Sequence, residues 1–188
     1  MSEVHGQVRE QERDPQQEAR RRVALSQIRQ FGDPVLRMKA RPVEAFDADL
    51  AKLVERMKRL MADAQGVGLA ATQVGILQRI AVIQPANEEE PRVLVNPEIV
   101  ARGAGKETDD EGCLSLQGVL VPVERDLHVT VAAKDESGAD LRLELEALTA
   151  RVAQHELDHL DGILVLDRTT PEARREALGI LRPRLVLS

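Results

Sequence analysis

His155-Glu156-Leu157-Asp158-His159 is the segment of this chain whose residue types and spacing bear most directly on chemistry. Two imidazoles four residues apart share one face of a helix, so both can reach a single ion. Glu156 lies next along the turn, close enough to touch a water on that ion. Two neutral His ligands beside a carboxylate is the arrangement that metal-assisted hydrolysis uses. By chance such a string arises in on the order of 1% of chains this long.

An ion on two imidazoles needs a third ligand, and the candidates divide zinc hydrolase classes. One class continues as H-E-x-x-H-x-x-G-x-x-H. Gly162 fits its glycine, but its last position is Val165, so that reading fails. Another uses a downstream Glu. Glu172 and Glu176 are available but fall on a separate helical segment that reads as solvent-facing. His5 sits in a polar extension, and His128 sits in a strand, where a partly buried, satisfied His is the commoner case. Cys113 is the softest donor, and Gly112 before it lets the backbone approach closely. Ser115 can hold that loop by local hydrogen bonds. A lone cysteine can form no internal disulfide; it is an inert buried residue, a nucleophile or a metal ligand, and by base rate the inert reading leads until its neighbours are considered.

The elements that must position these groups can be read from periodicity. Leu50, Leu53, Val54, Met57, Leu60 and Met61 mark one face of a helix from Asp47 to Ala64, stopped at Gly66. Gly66-Val67-Gly68-Leu69-Ala70-Ala71-Thr72-Gln73 follows it. This loop has no Gly-Lys-Ser/Thr, so it is not a phosphate loop. Its small residues allow a substrate chain to lie on the backbone, and Gln73 offers an amide to an oxyanion. Arg79–Ile83 and Arg92–Val95 read as short strands, and Val119–Ala133 as one or two strands, broken or bent near Pro122. Asp135–Gly138 reads as a hairpin turn, with Leu141–Leu145 returning. Glu146 to Leu160 has helical period and ends at Gly162, and Thr170-Pro171-Glu172 starts a last helix. Strands grouped before a late helix predict an α+β fold.

Bulk properties bound the rest. At 188 residues the chain suits one domain. Residues 1–25 read as a polar N-terminal extension, despite a helix start at Asp14-Pro15, and 26–188 as a single catalytic domain. Phe31 and Phe46 are the only Phe, Tyr or Trp, and the net charge is −6. Both argue against general nucleic-acid binding. No apolar run could span a membrane, and Met1–Arg22 lacks a signal-peptide centre, so a cytoplasmic protein is expected.

Gly66–Gln73, Glu111-Gly112-Cys113-Leu114-Ser115 and His155–His159 together resemble the three motifs of the peptide deformylase family, in order. Gly32–Arg37, Leu94–Glu98 and Gln154 resemble the flanking sequence, so the likeness runs from about Ile28 to Leu178. It implies small antiparallel or mixed sheets packed around a central metal-binding helix. It implies one divalent ion on Cys113, His155 and His159, iron(II) before zinc, nickel or cobalt. Glu156 would take a proton from water and return it to the leaving amine, while Gln73 and the Leu114 N–H hold the oxyanion. The implied substrates are N-formylmethionyl nascent peptides, met near the ribosomal exit tunnel. Gly66, Val67, Gly68 and Gly112 would pair with the substrate backbone, and Leu148 and Val152 would receive the methionine side chain unless they pack the core. Asp158 would anchor the ligand helix, and Arg125 would stand near substrate or form an exposed salt bridge. Gln117 stands where the family often has Pro. The alternatives are a metallopeptidase, which lacks its downstream ligand here, another metal-dependent amidohydrolase, and an inactive peptide-binding relative, against which intact Glu156 and Gln73 argue.

Overall fold

A computed structural model describes residues 14–85 and 88–181 of the chain. The first element is a helix, α1 (Pro15–Ser26), with the Asp14 carboxylate accepting from Gln16 N at 3.1 Å. The extension predicted for residues 1–25 therefore gives way to a helix at Pro15; residues 1–13 lie outside the described residues. Its apolar stripe is indeed sparse. Ala24 and Leu25 bury with Ile28 against the next helix, and the rest faces solvent. Tertiary packing of one turn, rather than an amphipathic face, holds α1 in place.

Helix α2 (Ala48–Asp63) begins at Asp47, whose carboxylate caps Asp49 and Leu50, and buries Leu50, Val54, Met57, Leu60 and Met61. Its stop differs in detail from the prediction. Gln65, at φ 59°, makes the left-handed turn, and Gly66 N then bonds Met61 O at 2.9 Å. That is the Schellman closure, made here with glutamine at the position glycine usually takes.

A five-stranded antiparallel sheet, ordered β1-β2-β3-β6-β7, forms the floor: β1 (Gly68–Ala70), β2 (Ile80–Ile83), β3 (Arg92–Arg102), β6 (His128–Lys134) and β7 (Asp140–Glu146). A separate ribbon pairs β4 (Lys106–Cys113) with β5 (Leu116–Asp126). The predicted turn at Asp135 is present, its carboxylate accepting from Ser137 N and Ala139 N. The predicted break near Pro122 is not. Pro122 lies inside β5, opposite Asp110, and the break comes at Leu127. A two-stranded ribbon leaves each strand an unpaired edge, where a residue without an N–H is tolerated.

Helix α3 (Ala147–Leu160) lies across β1, β2 and β7 and touches β5. Ala150, Ala153 and Leu160 are fully buried with Ile83, Leu94 and Val131 of the sheet. The α+β arrangement around a central helix is thus present, with every strand pair antiparallel. Helix α4 (Pro171–Leu181) packs Ala177 against β5. Among the described residues no helix is long and apolar enough to cross a membrane.

Gly162 closes α3 at φ 75°, and a Cβ there would lie 2.6 Å from the Arg37 carbonyl oxygen. Both the backbone conformation and the neighbouring main chain exclude a side chain. Gly162→Ala is expected to lower stability by about 2–4 kcal/mol. Thermal melting of the variant against the parent checks this, and an unchanged midpoint would refute it.

Candidate metal centre

Helical spacing puts His155 and His159 on one face of α3, and the turn between β4 and β5 brings Cys113 to them. Cys113 Sγ lies 3.2 Å from His159 Nε2, which lies 3.2 Å from His155 Nε2. All three donor atoms fall within 4.8 Å of one another, and among the described residues no other such cluster of His, Cys, Asp or Glu occurs. A thiol and two ring nitrogens converging on one point fit a divalent transition ion and leave room for a further ligand. Of the other candidates, His5 lies outside the described residues. His128 is more than half exposed and faces Glu146 on the sheet edge, not partly buried as expected.

Behind the ligands lies a buried charge cluster in which the motifs leave Glu111 and Arg151 without a role. Glu111 Oε2 holds His155 Nδ1 at 3.0 Å, which orients the ring so that Nε2 faces the site. Arg125 donates twice to Glu111, at 2.9 and 3.0 Å, and Arg151 once at 2.8 Å. Burial opposes the charge on Glu111, but bonds from His155 and Arg125 outweigh it and hold the carboxyl at about 2. Burial likewise opposes the charge on Arg125, and Glu111 and Asp158 overcome it and raise its pKa. Arg125 is therefore salt-bridged, as one of the two expectations had it, but only 6% exposed and packed beneath the ligand helix. Asp158 bonds Arg125 and Arg168, consistent with an anchoring carboxylate.

Two spacings could have revealed this cluster. Arg151 stands one turn before His155 on the same face of α3, and Glu111 stands two residues before Cys113 on a strand. Strand β4 itself was not predicted. Lys106, Glu107, Thr108, Asp109 and Asp110 are all exposed, so no apolar alternation marks it.

Glu156 is 3% exposed, and its Oε2 has no hydrogen-bond partner. Burial, with the nearby Glu111 charge, pushes its carboxyl up to about 7 against the opposing pull of His155. The glycine loop lies directly on it. A Cβ on Gly68 would sit 2.2 Å from Glu156 Oε1 and 2.9 Å from Val152 Cγ1, and one on Gly66 would sit 2.8 Å from Leu114 Cδ1. Gln73 follows in a tight turn. Its Oε1 accepts from Ala70 N at 2.9 Å, so its Nε2 faces Ser115 Oγ at 3.1 Å and Cys113 Sγ at 3.6 Å.

A strap formed by Ile28–Phe31 ties these loops together. Arg29 N bonds Gln73 O at 2.7 Å, Phe31 N bonds Ser115 O at 2.8 Å, and Gln30 Nε2 bonds Leu114 O at 3.1 Å. Gln117 donates to Gln30 Oε1 at 3.1 Å. Gly112 abuts Leu120, and Val67 is half exposed in its loop. Val152 is buried beside Gly68, whereas Leu148, at the start of α3, is 44% exposed.

Such a fold, wrapped on a helix bearing two His and a buried Glu, defines a metal-dependent hydrolase. A sequence model of the polypeptide deformylase family matches residues 25–175. A peptide deformylase of Clostridium botulinum is 48% identical over 148 residues, 79% of this chain and 99% of its own length. One of Thermotoga maritima is 46% identical over 150 residues, 80% of this chain and 90% of its own. The crystal structure of a peptide deformylase from Synechococcus elongatus in complex with actinonin superposes with a TM-score of 0.79 at 40% identity. It covers 82% of this chain and 86% of that one. The chain belongs to the peptide deformylase family.

Proposed function

We propose that this chain hydrolyses the N-formyl group from the formylmethionine that begins nascent polypeptides, releasing formate and a free amine. One observation carries the reading. Three donors of the right kinds converge on one point, with a buried, unpartnered carboxylate beside them. Cys113, His155 and His159 are the ligands of one ion, iron(II) in our reading, with zinc, nickel or cobalt compatible with the same donors. Bound there, the ion supplies Lewis acidity that makes a water nucleophilic near neutral pH.

The protein's own groups do the remainder. Glu156 accepts the proton of the attacking water and delivers it to the amine nitrogen as the C–N bond breaks. A carboxyl raised toward neutrality by burial suits both steps. Gln73 Nε2 and the Leu114 backbone N–H hold the oxygen that carries charge. Because Gln73 Oε1 is occupied by Ala70, the amide cannot turn its oxygen inward. Gly66, Val67, Gly68 and Gly112 offer main chain to an extended peptide, which side chains at the glycines would obstruct. Val152 and Leu148 form the wall that meets the methionine side chain. The substrate is a chain emerging from the ribosome in the cytoplasm.

Protein purified without oxygen and loaded with iron(II) is expected to release formate from N-formyl-Met-Ala-Ser, and to stop when a chelator removes the ion. Fully iron-loaded protein that releases no formate would overturn the reading.

A further inference from the structure

We propose that Arg168, a surface residue in the turn after α3, is a positioning residue for the metal centre, acting through an unbroken series of charged side chains. The proposal rests on the metal-centre reading above. Arg168 follows a tight turn at Val165–Asp167 that brings the chain back over the end of α3. Its side chain is 45% exposed, the Asp158 side chain 11%, and those of Arg125 and Glu111 6% and 5%, so each step goes deeper. Arg168 grips Asp158 with two donors, Nη2 to Oδ1 at 2.6 Å and Nε to Oδ2 at 3.0 Å. The same Oδ2 accepts Arg125 Nη1 at 2.6 Å. Arg125 turns its other two nitrogens, Nε and Nη2, on Glu111, and Glu111 Oε2 holds His155 Nδ1.

The two-pronged contact fixes the plane of the Asp158 carboxylate as well as its charge. Without it, Asp158 keeps Arg125 as its one cationic partner and can rotate to draw on more of that guanidinium. Arg125 donors taken by Asp158 are donors removed from Glu111, whose carboxylate sets the tilt of the His155 ring. In a poorly solvated cluster such rearrangements are transmitted rather than absorbed by water. Groups that orient a ligand's far nitrogen commonly govern how tightly the ion is held. Arg168 extends that influence three residues beyond Glu111, to the protein surface.

The test uses full-length protein loaded with cobalt(II), whose visible absorption reports ligand geometry. It compares wild type, Arg168→Met, Arg168→Lys and Arg174→Met. Arg174 is another half-exposed arginine nearby, 3.8 Å from Asp167, and serves as the control. Arg168→Met is expected to change the cobalt spectrum and to lose the ion to a chelator about 3- to 10-fold faster. Its kcat for formate release should fall with KM little changed. Arg168→Lys, which keeps the charge but not the two-pronged grip, should show a smaller change in the same direction, and it carries the test if Arg168→Met does not fold. Arg174→Met should match wild type. An Arg168 variant with wild-type spectrum and ion-release rate would overturn the proposal, even if it melted at a lower temperature. Wild-type protein that binds cobalt(II) but releases no formate would instead count against the proposed function, leaving the spectral comparison able to decide the role of Arg168.

Discussion

Replacing Glu156 with glutamine is expected to leave the ion bound and lower kcat by about 10²- to 10⁴-fold. Glutamine has nearly the same shape but cannot accept the proton. The substitution removes no hydrogen bond at Oε2, since none is made there. It should also stabilise the ion-free protein near pH 7. A carboxyl at about 7 in the folded chain, against 4.5 when unfolded, disfavours folding increasingly as pH rises from 4.5 to 7. Glutamine abolishes that cost, which is of the order of 3 kcal/mol. Activity and stability thus move in opposite directions, as expected of a group held unpartnered for chemistry. Formate release, metal content and melting of chelator-treated protein check the three parts. A variant that loses its ion, or keeps wild-type turnover, would refute the assignment.

Glu111→Gln is expected to act in the opposite sense, on structure first. Glu111 accepts from Arg125, Arg151 and His155 in a nearly dry setting. Glutamine leaves two buried guanidinium groups with less than their countercharge, a loss of about 3–5 kcal/mol. It also frees the His155 ring, so ion affinity should fall about 10- to 100-fold. The pH dependence follows from the same carboxyl. Folded at about 2 and unfolded at 4.5, it contributes stability that is fully present above 4.5 and lost as pH falls toward 2. Glu111→Gln should therefore melt lower than wild type at pH 7 and show a shallower decline between pH 4.5 and 2. Wild-type ion affinity in this variant would show that Glu111 does not orient His155.

The legible parts of this molecule were those encoded over short range. His155, Glu156 and His159 are neighbours on one helix, so their meeting was visible in four residues of spacing. The α2 face and the Asp135 hairpin were legible for the same reason. The convergence of Cys113 and Gln73 on that helix depends on three separate elements, and resemblance rather than periodicity suggested it. Glu111 and Arg151 carry only a weak signal, their spacing to Cys113 and His155, and Arg168 carries none, because charged residues normally face water; the fold buries Glu111 and Arg151 together. Strand β4 was silent because its early residues are polar on both faces. Helix α1 was underestimated because two buried residues, Ala24 and Leu25, are too few to make a pattern.

The strap at Ile28–Phe31 has a consequence for how the molecule opens. Gln30 reaches Leu114 across 84 positions of chain, and its neighbours hold Gln73 and Ser115. Each loop is tied by a main-chain bond to the same short strap, Gln73 through Arg29 and Ser115 through Phe31, so a shift of the strap acts on both. In terms of local unfolding, a shared strap couples the openings of the two loops, so that loosening one lowers the cost of releasing the other.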